Sequence, residues 1–305
     1  MKVRNLVEED LPSLVKLLNE AYRESYEFIP FSMEKLCSRI QERNLKILVA
    51  EEDGGIEGCV AYNDGHWGEE IEWPCVLERL DRRLVEDVLV REIEKHVKGD
   101  WVFTVVDAGS PKISEWVERG YEPEGGLCHM VARLDGLEPI PQVPEGIVIR
   151  SLKPAEEKEL VEAANAGFGR ERLKPGVIQK WKTEYPSFSE EWVHVAIFRG
   201  RIVSVVVSKP DIKYNTFFNG RRGYLGPAAT LPEHRGRKLA TALTRRAMNT
   251  LFGNGMDSVA LYTAEQNVAS VALLKKLGFE IGYQWRFMRK HFNVKNKAGP
   301  SAERG

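Results

Sequence analysis

Cysteine is scarce in this chain of 305 residues, and its spacing carries no sign of a metal or a disulfide. The four cysteines are Cys37, Cys59, Cys75 and Cys128, and no two of them form a Cys-x-x-Cys pair. Scattered cysteines of this kind argue against a disulfide framework and against a metal site. We therefore expect buried free thiols and no bound metal.

Long apolar runs and an excess of one charge are also missing. No run approaches the roughly 20 apolar residues that cross a bilayer, and the segment from Met1 to Asp10 has acids where a signal peptide has its apolar core. A net charge of -1 argues against general nucleic-acid binding. With 43% apolar and 29% charged residues, the composition predicts a soluble globular protein of the cytoplasm with no membrane partner.

The most informative segment begins with the apolar run Tyr224 to Thr230, which predicts a strand. Leu231 to His234 contains a proline and predicts a loop. Leu239, Leu243 and Met248 then recur at helical spacing. The unpaired N–H groups at the start of such a helix favour an anion.

The loop before this helix reads Arg-Gly-Arg-Lys-Leu-Ala from Arg235 to Ala240. It resembles the acyl-CoA-binding motif of the GNAT-type N-acetyltransferase superfamily. Arg235 and Ala240 match the first and last positions of that motif. Lys238 stands where the family has its first Gly, which leaves Gly236 as the flexible point of the loop. Lys238 can point to solvent or add a cation for phosphate, because the cradling donors belong to the backbone.

Two further elements follow in the order that the family requires. Ser258 to Thr263 predicts a short buried strand, and Asn267 to Phe279 predicts a helix that Gly278 ends. Asn267, Ser270 and the closing Gly-Phe occupy the family's positions. The resemblance implies an α/β (α+β) fold, in which a mixed, mostly antiparallel sheet is flanked by helices.

The rest of the chain is interpreted as a second copy of the same fold. Residues 3–6 match residues 149–152, and Ile56 matches Ile202, at one constant offset of 146 positions. We therefore predict two tandem GNAT folds. The second copy carries roughly a dozen extra residues, which we place around 211–222.

Composition sets the expected boundaries. Residues 137–146 contain three prolines and predict a linker. It separates a first domain, 1–136, from a CoA-binding catalytic domain, 147–292. Residues 293–305 have no apolar periodicity and predict a flexible tail.

The first copy is predicted to be degenerate. At the place of the phosphate loop it has Glu78 to Leu84, which contains no glycine and puts Asp81 where an anion would sit. A carboxylate there opposes pyrophosphate, although Asp81 is also suited to cap a helix. We expect this copy to shape the structure or the substrate site and not to bind CoA.

The resemblance implies that the second copy binds acetyl-CoA as its co-substrate. The expected CoA-binding residues are Ala228, Ala229, Thr230, Arg235, Gly236, Arg237, Lys238, Leu239, Ala240, Thr241, Asn267, Ser270 and Leu274. The backbone N–H of Ala229 or Thr230 is the expected donor to the thioester oxygen. Leu274 stands where many members have a Tyr that protonates the leaving thiolate, so it either contacts CoA or simply fills the core.

The acid and the base are less clearly marked. Tyr262 and Tyr283 offer hydroxyls near the missing Tyr. Glu171 and Glu184, on the expected helical segment beside the amine pocket, and Glu265, before the last helix, could accept the proton of the substrate directly or through water. Of these residues, the candidate catalytic ones are Glu265, Glu184 and Tyr262.

Two histidines have simpler interpretations. His129 follows Cys128 on a predicted strand, where neighbouring side chains face opposite sides, so the two do not form a catalytic pair. His234 is expected to be a solvated loop residue, with contact to a CoA phosphate as the alternative.

Together these features predict an N-acetyltransferase that transfers an acetyl group from acetyl-CoA directly to a primary amine of a small molecule or a protein. The alternative is a catalytically inactive acyl-CoA-binding sensor or scaffold protein. Lys238, Leu274 and a fourth strand without a carboxylate favour that alternative.

Overall fold

The computed structural model describes residues 1–65, 68–77, 81–185 and 187–292. The strands are β1 (Lys2–Asn5), β2 (Lys46–Glu52), β3 (Gly55–Gly65), β4 (Gly68–Val76), β5 (Trp101–Asp107), β6 (Glu122–Arg133), β7 (Ile147–Ser151), β8 (Val193–Phe198), β9 (Arg201–Pro210), β10 (Arg222–Thr230), β11 (Ser258–Ala264) and β12 (Glu280–His291). The helices are α1 (Leu11–Tyr22), α2 (Met33–Arg43), α3 (Arg82–Glu94), α4 (Lys112–Glu118), α5 (Glu157–Phe168), α6 (Val177–Glu184), α7 (Ile212–Phe218), α8 (Leu239–Gly253) and α9 (Val268–Lys276). The expected tail, 293–305, lies outside the described residues, and so do positions 78–80.

The chain divides into two compact units, one formed by Met1–Leu127 with Gln284 onward and the other by Cys128–Tyr283. The division falls inside β6 and β12, whereas the sequence analysis placed it in the Pro-rich segment 137–146 and after residue 292. The physical reason is strand pairing: Trp285 to His291 of β12 pair antiparallel with β5 of the first unit. Each unit thus contains at least half of the strand that ends the other sequence repeat.

The first unit has the strand order β1, β2, β3, β4, β5, β12. Neighbours pair antiparallel except β4 and β5, which are parallel. Alternate residues of β2 enter two different cores, because Ile47 packs with α1 and α2 while Leu48 packs with α3. The sheet of this unit is therefore covered by helices on both faces.

The second unit has the strand order β6, β11, β10, β9, β8, β7. Its one parallel pair among the described registers is β10 with β11. An added Cβ on Gly223 would lie 2.5 Å from Leu251 of α8, and one on Gly167 of α5 would lie 2.9 Å from the Ala229 side chain. Helices α8 and α5 therefore cover opposite faces of β10.

Apart from α7, the two halves of the chain repeat one order of elements: strand, two helices, three strands, helix, strand, helix, strand. An ion pair is repeated as well. Arg150 holds Glu156 with two hydrogen bonds of 2.7 and 2.6 Å, and Arg4 holds Asp10 with bonds of 2.5 and 2.9 Å. Both pairs tie the first strand of a unit to the turn before its first long helix, which supports the prediction of two tandem copies.

Helix α7 is the extra element of the second unit and lies where the sequence predicts the insertion. Its start is anchored because Arg222 donates to the Asp211 carboxylate at 2.9 and 3.1 Å and stacks 3.4 Å from the Tyr214 ring centroid. Phe217 and Phe218 remain exposed. The insertion is therefore a fixed helix that presents apolar side chains to solvent.

None of the four cysteines, all of which lie in the described ranges, forms a disulfide; Cys59, Cys75 and Cys128 are buried, whereas Cys37 is half-buried. Over the residues that the structure describes, no group of three or more His, Cys, Asp or Glu side chains is arranged to hold a metal ion. None of the helices in these ranges is both long enough and apolar enough to cross a membrane.

Candidate functional site

The candidate site lies where β10 and β11 diverge. Their parallel pairing covers three residue pairs and, within these described strands, ends at Tyr224 and Ala260. Strand β10 then bulges away from its regular ladder with β9 between Leu225 and Ala228. Pro227 lies in this bulge and has no N–H, so it cannot continue the ladder. The edges of β10 and β11 are consequently separated beyond Tyr224.

The register of β10 with β9 shows which backbone donors face this opening. Leu231 donates its N–H to Val203 at 3.0 Å, and Ala229 is two residues earlier on the same ladder. Antiparallel ladders bond alternate residues. Ala229 therefore directs its N–H to β9, whereas Ala228 and Thr230 direct theirs to the β11 side. Of the two expected donors, Thr230 is the one whose N–H faces the opening.

The loop after β10 leads directly into the start of α8. A short turn at Pro232–His234 is followed by Gly236 and Lys238, whose φ angles of 75° and 62° are left-handed. The first helical bond runs from the N–H of Ala242 to the carbonyl of Lys238 at 3.0 Å. The N–H groups of residues 239–241 thus have no acceptor within the helix and form an anion site.

Arg235 is exposed, but its guanidinium bonds to backbone carbonyls of the protein. Its guanidinium donates to the carbonyl of Gly167 at 2.8 Å and to that of Thr230 at 3.2 Å. Arg237 and Lys238 are exposed beside the start of α8. The motif therefore offers two further exposed cations, and its first arginine fixes the surrounding backbone.

The other expected CoA residues divide into backbone and core positions. Leu239 is buried, while Ala240 and Thr241 are half-buried at the helix start. Asn267 caps α9 by accepting the N–H of Ser270 at 3.2 Å. For Leu274 the alternatives were contact with CoA and a place in the core; its side chain is 4% exposed and packs in the core of the second unit, which favours the second.

His234 also differs from its expectation. The side chain is only 9% exposed, and its ring packs edge-on against Phe198 with centroids 5.3 Å apart. The prediction of a solvated loop histidine is wrong. Its short turn folds back on the sheet, so this polar residue is buried although the loop around it is exposed.

A row of five side chains, the aromatic row, crosses the second unit at the level where the strands diverge. Its members are Tyr185, Lys209, Tyr224, Tyr262 and His129. The Lys209 ammonium lies 4.6 Å from the Tyr185 ring centroid and 5.8 Å from that of Tyr224. The Tyr224 and Tyr262 centroids are 6.2 Å apart, and those of Tyr262 and His129 are 4.7 Å apart. Four strands and the end of α6 thus converge on one polar and aromatic surface.

Tyr224 is the member nearest to the bulge of β10. An ideal Cβ on Gly226 would lie 3.8 Å from its hydroxyl oxygen. Burial, with a smaller effect of Tyr262, raises the pKa of Tyr224 to about 12. The hydroxyl therefore keeps its proton at neutral pH and can donate it. Sequence reasoning did not single out Tyr224 or Lys209, which face each other as register partners.

The expected carboxylates lie at different places. Glu184 ends α6, immediately before Tyr185, and its charge raises the pKa of Tyr185 after the larger effect of burial. Glu265 is half-buried in the turn after β11, three residues beyond Tyr262. Tyr283 is half-buried on β12. Of the predicted catalytic residues, Tyr262 belongs to the aromatic row and Glu184 adjoins it.

Glu171 does not occupy the expected helical position. It lies in the loop between α5 and α6, is exposed, and pairs with Lys174 at 3.3 Å. Helix α5 ends at Gly169, which adopts a left-handed φ of 69°, so Glu171 lies beyond the helix. The Glu171 carboxylate is part of a surface ion pair.

Comparison with known proteins gives matches to acetyltransferases. Residues 158–279, which lie in the second unit, match the model of the acetyltransferase (GNAT) family. The chain is 31% identical over 147 residues to mycothiol acetyltransferase of Thermobispora bispora, covering 46% of this chain and 49% of that protein. It is 30% identical over 101 residues to N-alpha-acetyltransferase 30 of Schizosaccharomyces pombe, covering 32% and 65%. The chain thus spans about half to two thirds of the length of these curated relatives.

Solved structures extend the likeness in fold to nearly the whole chain. A GCN5-related N-acetyltransferase from Sphaerobacter thermophilus aligns with a TM-score of 0.66 at 19% identity and 95% coverage of both chains. A tandem GNAT protein from the clavulanic acid biosynthesis pathway aligns with a TM-score of 0.62 at 17% identity, covering 98% of this chain and 99% of that one. The prediction of two tandem GNAT folds is confirmed at the level of fold.

Proposed function

We propose that the second unit transfers an acetyl group from acetyl-CoA to a primary amine of a small molecule or a protein. The observation that carries the proposal is the divergence of β10 from β11 beyond Tyr224, directly before the loop that presents the start of α8. A CoA thioester needs both features, because its pyrophosphate requires N–H donors and its extended arm can add to a free strand edge. The names of the relatives, mycothiol acetyltransferase and N-alpha-acetyltransferase, also describe acetyl transfer.

Backbone donors hold the co-substrate in this proposal. The N–H groups of residues 239–241 and the exposed cations Arg237 and Lys238 bind the pyrophosphate. The N–H groups of Ala228 and Thr230 face the opening and bind the arm and the thioester oxygen. That oxygen gains negative charge during the reaction, and a donor fixed in a strand stabilises the charge without reorganising.

The reaction is a direct transfer. The substrate ammonium loses a proton, the amine nitrogen bonds to the acetyl carbon, and the carbon–sulfur bond breaks. The nitrogen then loses a second proton, which balances the one that the leaving sulfur takes up. Tyr224 is the proposed donor of a proton to the leaving thiolate, with Tyr262 as the neighbouring hydroxyl. The demand on this acid is modest because thiols have pKa values near 8.5.

A carboxylate removes the first proton. Glu184 adjoins the aromatic row, and Glu265 follows β11, so both remain proposed bases that act through water. Holding the amine and the thioester together contributes independently of the base.

The test changes the phosphate site without disturbing the helix. Thr241→Glu places an acid in the first turn of α8, where it favours the helix but repels pyrophosphate. Thr216→Glu adds the same charge on the exposed surface of α7 and serves as the matched control. Acetyl-CoA is titrated calorimetrically into each protein, and release of CoA thiol is then measured against a panel of amines.

We expect acetyl-CoA binding that Thr241→Glu abolishes and Thr216→Glu retains, together with thiol release on some amine. Binding without thiol release on any amine would instead identify the acyl-CoA sensor. Equal binding by the Thr241→Glu variant would refute the placement of the pyrophosphate.

A further inference from the structure

Lys209 is a cation of the aromatic row that the proposed transfer chemistry does not use. It pairs in register with Tyr224, and register partners on antiparallel strands share a face. Its ammonium lies between the rings of Tyr185 and Tyr224, at 4.6 and 5.8 Å from their centroids. Rings attract a cation through their faces, but they do not neutralise its charge.

The acids nearest to Lys209 are committed to other cations. Asp211 accepts from Arg222 at 2.9 Å, and Glu184 lies 3.8 Å from Lys180. Among the residues that the structure describes, no carboxylate oxygen lies within 4.0 Å of the Lys209 ammonium nitrogen, so none forms an ion pair with it. Burial lowers the pKa of Lys209, while the more distant Glu184 and Asp211 oppose that effect.

The surroundings of the row contain cations as well as the acids Glu184 and Asp211. Lys180 acts on Lys209, and Arg172 acts on Tyr224, in each case as a cation that lowers the pKa of its neighbour. A half-buried ammonium that lacks a carboxylate partner is costly. A substrate that brings an anionic group would remove this cost and would also offset the repulsion between Lys209 and the ammonium of the substrate.

We propose that Lys209 recognises an anionic group, a carboxylate or a phosphate, that the acceptor carries beside its amine. The inference rests on the proposed acetyl transfer and names the substrate class of the same site. Lys209 then determines specificity and takes no part in the bond-making step. Tyr185 and Tyr224 form the walls that hold the ammonium in place.

The test compares matched acceptors that differ in one charge. Leucine is paired with leucinamide, and phosphoethanolamine is paired with ethanolamine, each with acetyl-CoA in a thiol-release assay. The variants are Lys209→Met, which keeps an unbranched apolar chain, Lys209→Arg, which keeps the charge, and Lys213→Met, which removes an exposed cation from α7. Calorimetric binding of N-acetyl-leucine and of its amide to the protein holding CoA gives a readout that does not require turnover.

The wild type should prefer the anionic member of at least one pair by about 10- to 100-fold in kcat/KM, as a charged hydrogen bond implies. Lys209→Met should reduce this ratio toward one, Lys209→Arg should retain part of it, and Lys213→Met should keep it. A preference for leucine identifies a carboxylate, and one for phosphoethanolamine identifies a phosphate. Neutral acceptors used equally well, or a ratio that survives Lys209→Met, would overturn the inference while leaving acetyl transfer intact.

If no amine releases thiol, the proposed transfer fails, and the binding measurement alone decides the role of Lys209. N-acetyl-leucine should then bind more tightly than its amide in the wild type and equally in Lys209→Met. Absence of that difference in binding also overturns the inference.

Discussion

Arg235 and Gly167 are joined by a hydrogen bond of 2.8 Å, in which the guanidinium donates to the backbone carbonyl near the end of α5. The same side chain donates to the carbonyl of Thr230 at 3.2 Å. The first arginine of the CoA motif thus connects α5 to the end of β10. It positions the backbone that faces the opening between the strands.

Arg235→Ala should weaken acetyl-CoA binding by roughly 10-fold, because the hydrogen bonds of the charged guanidinium fix the backbone at the end of β10. Its effect should persist at high salt, since its partners are backbone carbonyls and not a phosphate charge that salt screens. Arg237→Ala should instead weaken binding at low salt and lose its effect as salt screens the phosphate. Calorimetry at two salt concentrations separates the two roles, and equal salt dependence of both variants would contradict this assignment.

Gly167→Ala should destabilise the protein although alanine favours helices. An added Cβ would lie 2.9 Å from the Ala229 Cβ and 3.2 Å from the Thr230 nitrogen, which is closer than packing allows. We expect a loss of about 1–3 kcal/mol in unfolding free energy and slower thiol release, because β10 must shift. Gly253→Ala is the matched control: nothing lies within 4 Å of its added Cβ, so it should stabilise α8 by about 0.5–1 kcal/mol. Denaturant titrations of both variants check the prediction, which a stable Gly167→Ala protein would refute.

Tyr224→Phe should lower kcat by roughly 100-fold, the lower range for loss of a positioned acid. Acetyl-CoA affinity should change little, because the hydroxyl acts on the thiolate only as it leaves. The raised pKa of about 12 means that Tyr224 stays protonated, so wild-type kcat should show no loss from its deprotonation up to pH 10. Steady-state kinetics of Tyr224→Phe and Tyr262→Phe as a function of pH test this role. A larger loss of kcat in Tyr262→Phe would assign the role of general acid to Tyr262.

The loop before α8 and the last helix could be predicted because their signals are local. Gly236, the helix beginning at Leu239 and the cap at Asn267 all depend on residues next to one another in sequence. The aromatic row could not be predicted, since Lys209 and Tyr224 meet only through the register of β9 with β10.

The exchange of the last strands was missed for a related reason. The internal repeat assigns Trp285 to His291 to the second copy, yet these residues pair with β5 of the first unit. Sequence similarity reports the origin of a strand, whereas hydrogen bonding decides its neighbour. His234 was missed because burial depends on the path of a whole turn.

His194 should make the protein sensitive to mild acid. Burial lowers its pKa to about 3, and its Nε2 lies 2.9 Å from the Ser208 hydroxyl. The unfolded chain takes up a proton near pH 6.5 while the folded one does not, so the unfolding free energy falls as pH drops below that value. Between pH 7.5 and 5.5 the loss should be about 1.4 kcal/mol. Urea titrations should show a weaker pH dependence in His194→Gln, and an identical dependence would exclude this histidine as the cause.

The first unit should bind no CoA, so one chain should take up one acetyl-CoA. Four carboxylates of α3 and α4 surround the start of α3, where the second unit has its anion site: Glu86, Asp87, Glu115 and Glu118. Arg82, Arg83 and Arg119 bind them at 2.7 to 3.1 Å and tie the two helices together. The first turns of α3 and α8 both lack acidic residues, so the difference between the units lies in the carboxylates of α4 and of the second turn of α3.

Calorimetric stoichiometry tests this difference between the units. The wild type should bind one equivalent of acetyl-CoA, and Thr241→Glu should bind none, because it removes the only site that the proposal allows. Gly109→Glu adds the same charge in the first unit, where nothing lies within 4 Å of the added Cβ, and should still bind one equivalent. A residual equivalent in Thr241→Glu that disappears when Gly109→Glu is added would place a second CoA site in the first unit. In that case the ion pairs between α3 and α4 would have to open to admit the co-substrate.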